Sequence, residues 1–183
     1  ILSEVRPKVF IFENVKGLMS MSGGELIKTI ISLFRSLGYN VNIKLLNAAD
    51  YGAPQIRERV ILVGTLMGGE FVYPLPTHYN PETEKKEGLK PYVTLGEALA
   101  DLPVLTNGGS ATKYETSPQN DYQRLMRARE PKLLADHNVS KNGEHLVKLM
   151  EALPDGGSPA DVPEELRPAS GFANCYCRLW WNR

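Results

Sequence analysis

Two short stretches of this 183-residue chain carry side chains that could do chemistry together. The first is Glu13-Asn14, at the end of the apolar run Val9-Phe10-Ile11-Phe12. Apolar residues on consecutive positions fit a central strand of a parallel sheet, covered on both faces. In open α/β sheets ligands bind just past the carboxyl ends of the strands, which would put Glu13 and Asn14 at the edge of a crevice. A carboxylate there is a reacting group or a structural anchor, and the strand alone does not decide which. The second stretch is Gln55-Ile56-Arg57-Glu58-Arg59. In extended backbone Gln55, Arg57 and Arg59 point to one side. Two guanidiniums and an amide on one face suit a phosphate or the edge of a planar polar ligand. The same pattern also fits an exposed strand entry with solvated arginines.

The elements that must position these groups are legible in outline. Ser22-Gly23-Gly24-Glu25 has the spacing of a capping box. Leu26, Ile30, Leu33, Phe34 and Leu37 follow at helical intervals, with Ile27 and Ile31 widening the stripe. This predicts a helix over 23–37, stopped by Gly38. Strands are expected over 41–46 and 60–63. The loop between them has no helical pattern, so these strands should be antiparallel neighbours. Near residue 66 the composition turns to Gly, Pro and polar residues, which marks a domain boundary or hinge. Thr94-Leu95-Gly96-Glu97 repeats the capping-box spacing before a short helix. Further helices are expected from Ser117-Pro118 to Pro131 and over 143–153. Residues 172–181 read as a final strand.

Composition narrows the class. Apolar content of 42% and charge of 23% are those of a soluble globular protein, and no apolar run reaches the length that spans a bilayer. The net charge of zero argues against a generally basic nucleic-acid binder. Residues 1–65 nevertheless carry eight Lys/Arg against five Asp/Glu, so contact with a polyanion must be local. Cys175 and Cys177 stand too close in sequence for a disulfide, which points to a reducing compartment. His78, His137 and His145 are not at metal-ligand spacing with each other or with the cysteines, and no metal is expected. The chain opens Ile1-Leu2-Ser3-Glu4 without a starting Met and closes at Arg183 directly after an apolar-aromatic run, so it reads as a piece of a longer protein.

Taken in order, Glu13-Asn14-Val15, a capped helix, Gly38-Tyr39, Leu46-Asn47-Ala48, Tyr51-Gly52 and Pro54-Gln55-Ile56-Arg57-Glu58-Arg59-Val60 closely resemble the DNA (cytosine-5) methyltransferase family. Glu13-Asn14-Val15 matches the family's ENV motif, and Gln55-x-Arg57-x-Arg59 its QxRxR motif. The resemblance is strong over 1–65 and looser beyond. It implies an α/β fold: part of a Rossmann-like S-adenosylmethionine-methyltransferase sheet ending in an antiparallel strand pair, then a small, largely irregular α+β recognition domain. Residues 1–66 would be the C-terminal half of the catalytic domain, and 67–183 a target-recognition domain that runs up to the start of a further motif at Arg178-Leu179-x-Trp181.

The family flips a cytosine out of double-stranded DNA, adds a cysteine thiolate to C6 and moves a methyl group from S-adenosylmethionine to C5. Carried over, Glu13 would hydrogen-bond N3 and the exocyclic amine of the base, which asks for partial burial. Arg59 would donate to the base O2 or a phosphate, Arg57 would support the pocket, Asn14 would hold the loop, and Gln55 would order it. The resemblance further implies a bacterial restriction–modification setting, in the cytoplasm (the nucleus for a eukaryotic chain), and a monomer. The family's Pro-Cys nucleophile motif and Gly-rich donor loop are missing here, so no donor-binding residue is assigned and the piece alone should be inactive. Arg124, Arg127, Arg129 and Lys132 recur at helical spacing beside Tyr122, as a solvated face or as phosphate contacts; Asn138 is a further candidate for DNA contact. Two other readings stand beside this one. One is a non-catalytic DNA-binding module or subunit of a split or degenerate methyltransferase. The other is an unrelated α/β binding protein, for which Glu13 and Arg59 would lie far apart.

Overall fold

A computed structural model describes residues 1–83, 85–127 and 133–167. The strand expected over 172–181, Cys175, Cys177, Arg178 and Trp181, and Arg129, Pro131 and Lys132, lie outside these residues. The chain divides into two compact units, Ile1–Tyr92 and Val93–Arg183.

The first unit is an α/β sandwich of one sheet and one main helix. After a short helix α1 (Leu2–Val5), the sheet has strands β1 (Val9–Val15), β2 (Asn40–Asn47) and β3 (Glu58–Thr65), in the order β1-β3-β2. β3 runs antiparallel to both neighbours. The antiparallel pairing of the strands around 41–46 and 60–63 is as their short connection requires. β1 differs from expectation. Among the described residues it is an outer strand of the sheet and pairs antiparallel with β3, and its exposure alternates along its length. Phe10 and Phe12 face the core, while Ile11 is 70% exposed. The consecutive apolar residues hid this alternation, because both faces of the strand are apolar in composition. Glu13 and Asn14 also lie within the strand, not past its end.

One face of the sheet is covered by α2 (Glu25–Ser36). Ile27 is buried; Leu26, Ile30, Ile31, Phe34 and Leu37 pack beside it on Val41, Val60 and Leu62. Leu33, expected in the stripe, is instead exposed. The Phe10 ring meets Phe34 and Tyr39 edge-on at 4.7 and 4.9 Å, the arrangement that ring quadrupoles favour. Space for Phe10 comes from Gly64 directly opposite: a Cβ there would stand 2.0 Å from the ring. The capping box expected at Ser22 does not form. Ser22, Gly23 and Gly24 take successive positive φ values of 52°, 65° and 86°, and the helix begins at Glu25 without a side-chain cap.

The first unit continues past residue 66. Tyr73 Oη lies 2.8 and 3.0 Å from the carbonyls of Ile61 and Asn42. The short parallel strands β4 (His78–Tyr79) and β5 (Lys90–Pro91) then dock a strap on the sheet's loop. Polar bonds, not an apolar stripe, make this attachment. His78 packs on Gly52, where a Cβ would lie 2.7 Å from the ring. Burial, followed by the charge of Lys90, lowers its pKa below the ordinary 6.5.

In the second unit Thr94 caps α3 (Leu95–Leu99): its Oγ1 accepts from the Glu97 amide at 3.0 Å, and Glu97 accepts in return from the Thr94 amide at 2.8 Å. The next helix, α4, is Asp121–Met126, starting later than Ser117-Pro118 because Asn120 provides the cap. Helix α5 (Glu144–Ala152) buries Leu149, which clusters with Leu153 and Val162. Arg127 is not a free surface cation. It forms an ion pair with buried Asp101, donates to Thr116 O at 2.9 Å and lies 3.4 Å over the Tyr114 ring. Arg124 is exposed and pairs only with its helical neighbour Asp121 among the described residues, at 2.7 Å.

Three outcomes follow. Gly64→Ala is expected to destabilise the first unit by about 3 kcal/mol, the upper part of the usual range for overpacking, read as a lower urea midpoint. Arg127→Ala leaves Asp101 buried and unpaired and is expected to cost about 3–5 kcal/mol, whereas Arg124→Ala should change stability by less than about 0.5 kcal/mol. A phosphate-binding role for Arg127 alone would give the opposite pattern, with lost DNA affinity and unchanged stability. The third concerns pH. Folding favours neutral His78, so its contribution is complete above pH 6.5 and is lost as pH falls through the folded value. The Tm difference between the natural chain and His78→Asn should therefore shrink from pH 7.5 toward pH 5.

Candidate functional site

Register brings the two sequence motifs together. In the β1–β3 ladder Glu13 stands opposite Ile61, and Val15 opposite Arg59. Glu13 and Arg59 are thus diagonal neighbours on one sheet face, within reach of long side chains. Glu13 Oε1 accepts from Arg59 Nε at 2.7 Å. Arg59 also donates from Nη1 to the Glu58 carbonyl at 2.9 Å, which fixes the guanidinium. The glutamate is more open than expected, its side chain 52% exposed against 23% for Arg59. In such a partly exposed pair the attraction contributes about 0.2–1 kcal/mol, so the pair can open toward another partner at little cost.

The neighbouring groups hold the backbone at this end of the sheet. Asn14 Oδ1 accepts from the Val15 amide at 2.8 Å. Lys16, the residue after β1, crosses to Glu58 at the start of β3 at 2.8 Å, a second ion pair at this end of the sheet. Gln55 and Arg57 are exposed and precede β3, which starts at Glu58.

Sequence reasoning gave no role to Asn47, which orders this loop. Its Oδ1 accepts from the Arg57 amide at 2.9 Å and from the Ala49 amide at 3.3 Å, capping the 3-10 turn Ala48–Tyr51. An Asn before a short helical turn is the available signal. Asp50 and Tyr92 were also missed; the Tyr92 hydroxyl donates to Asp50 Oδ1 at 2.5 Å. In the second unit Asn138 is exposed beside the bridge that joins it to Ser110.

Near the loop each carboxylate has a cationic or phenolic partner: Glu13 has Arg59, Glu58 has Lys16 and Asp50 has Tyr92. Among the described residues no group of three or more His, Cys, Asp or Glu is placed to hold a metal ion, and no helix is long and apolar enough to cross a membrane. What the arrangement offers is an acceptor and a fixed donor side by side on an open sheet face.

Comparison with known proteins gives this geometry a context. A Type II methyltransferase from Lysinibacillus sphaericus, M.BspRI, is 52% identical over 105 residues, 56% of this chain and 24% of that protein. M1.HphI from Haemophilus parahaemolyticus is 33% identical over 173 residues, 94% of this chain and 38% of the relative. The chain thus spans well under half the length of these curated relatives. A crystal structure of a prophage-encoded E. coli chain, provisionally described as a DNA modification methyltransferase, shares the fold. Its TM-score is 0.62 at 18% identity, and the match covers 99% of this chain and 52% of that one. The model of the C-5 cytosine-specific DNA methylase family matches residues 1–153, and the chain belongs to that family.

Proposed function

We propose that the protein containing this chain methylates C5 of a flipped cytosine in double-stranded DNA, with Glu13 and Arg59 reading the base. The 2.7 Å contact between Glu13 and Arg59 carries the proposal. The Watson–Crick edge of cytosine presents O2, N3 and the N4 amine in a row. A guanidinium donating to O2, beside a carboxyl group bonded to N3 and N4, complements that edge. Thymine would set its O4 acceptor against the carboxylate. When a thiolate adds to C6, negative charge builds toward N3; a proton held there by Glu13 stabilises the adduct. The thiolate and the methyl donor S-adenosylmethionine belong to parts of the protein beyond these residues. Without the Pro-Cys and Gly-rich donor motifs the stretch alone should not turn over.

Arg57 and Gln55, exposed at the loop, support the pocket or contact backbone phosphate. Arg124 and Asn138 are the recognition-domain candidates, acting in a bacterial cytoplasm as the Type II relatives suggest. Arg127 is needed inside its own unit and is set aside.

In the full-length protein Glu13→Gln is expected to lower methyl transfer by about 100-fold or more, the scale of general acid–base contributions, with DNA affinity within about threefold. Unchanged turnover would sink the role of Glu13. Arg59→Ala should weaken capture of the flipped base as well as turnover. Bisulfite sequencing of DNA from cells expressing the protein reads both activity and target.

A further inference from the structure

The strap that follows the sheet ends in a side chain turned back to the arginine loop. Its two limbs run together, Lys90 N–H donating to Thr77 O at 3.1 Å and Tyr92 N–H to Tyr79 O at 2.9 Å. The first limb docks on the 3-10 turn Ala48–Tyr51: Thr77 N–H donates to Asp50 O at 2.9 Å and the Tyr51 hydroxyl to Pro74 O at 3.1 Å. The second limb delivers the Tyr92 hydroxyl to Asp50 Oδ1 at 2.5 Å. Asp50 belongs to the Ala48–Tyr51 turn that Asn47 caps, and Asn47 Oδ1 holds the Arg57 amide at 2.9 Å.

We propose that Tyr92 is a positioning residue for the Arg57–Arg59 loop, acting through Asp50 and Asn47. The proposal rests on the base-pocket reading of Glu13 and Arg59. Ten residues separate Asn47 from Arg57, and Gln55, Ile56 and Arg57 are exposed, so apolar packing does not hold this end of the loop. The polar relay does. A guanidinium that must meet one edge of a base needs its supporting groups locked, and misplacement by about 1 Å can cost on the order of 100-fold in rate. Burial and the neighbouring Asp50 carboxylate push the Tyr92 phenol up to about 12, so it remains a proton donor throughout the working range. A simple anchor for the strap would need only the Thr77 and Tyr51 bonds. The Tyr92 bond to Asp50 also ties the strap to the turn whose Asn47 cap holds the Arg57 backbone.

The test measures methyl transfer from tritiated S-adenosylmethionine to unmethylated DNA of mixed sequence by the full-length protein, where each variant is fully folded. Tyr92→Phe removes one hydroxyl, and Asp50→Asn weakens its acceptor. Each is expected to lower kcat by about tenfold with KM for DNA within about twofold, the pattern of a lost transition-state geometry. In an Arg59→Lys background the same Tyr92→Phe change should cost less than about twofold more, because both act on one group. A kcat within twofold of the natural protein, with only Tm lowered, overturns the positioning role, as do losses that multiply in the double variant. Full turnover by Glu13→Gln overturns the base-pocket reading and this proposal with it. A large loss in Glu13→Gln beside undiminished Tyr92→Phe overturns the positioning role alone.

Discussion

The first unit depends on the double pairing of β3. Its residues bond to β1 on one side and β2 on the other, and Val60 and Leu62 on its core face are completely buried. Because side chains alternate along a strand, a slip of one residue would exchange its two faces. Val60 and Leu62 would leave the α2 core, and Arg59 would leave the face it shares with Glu13. The apolar packing that fixes the register therefore fixes the Glu13–Arg59 pairing too. Fold and site are specified by one interaction, and the weak Glu13–Arg59 attraction need not hold the strands together.

Polar ties do the work that packing does not. Asn47 joins the end of β2 to the loop before β3, and Lys16 joins the end of β1 to Glu58. The second unit uses the same strategy at higher stakes. Gln123 is buried with its Oε1 accepting from Gln119 N–H and its Nε2 donating to Glu97 O, both at 2.6 Å. Asn120 adds a bond to the same carbonyl at 2.8 Å. With Asp101 also buried and paired to Arg127, this unit places polar groups around a small apolar core, and a lost partner leaves a desolvated atom behind.

Legibility in the sequence followed the range of the interactions. The antiparallel hairpin of β2 and β3, the α2 stripe and the Thr94–Glu97 capping box are local patterns, and they are present in the fold. The meeting of Glu13 with Arg59 was reached through motif order, since the two are 46 residues apart and only register joins them. Elsewhere the decisive contact was invisible. Phe10 and Ile11 are both apolar, yet only Phe10 faces the core. Ser22 and Glu25 have capping-box spacing, but the positive φ run through Gly23 and Gly24 turns the chain away. Arg127 looks like Arg124 in helical spacing; Asp101 and Tyr114, far upstream, make it an interior residue. Asp50 and Tyr92, also distant in sequence, come together only because the strap returns to the sheet.

The outer position of β1 has a consequence for handling the molecule. Among the described residues nothing pairs with its free backbone edge, and Val9, Ile11 and Val15 leave one face exposed and apolar. Edges of this kind recruit further strands, and natural sheets blunt them with charge, proline or a covering element. Here Glu13 is the only charged residue along seven, and its charge is matched by Arg59. Expressed by itself, this stretch is expected to offer that edge, on the strand that bears the glutamate, to pairing with further strands.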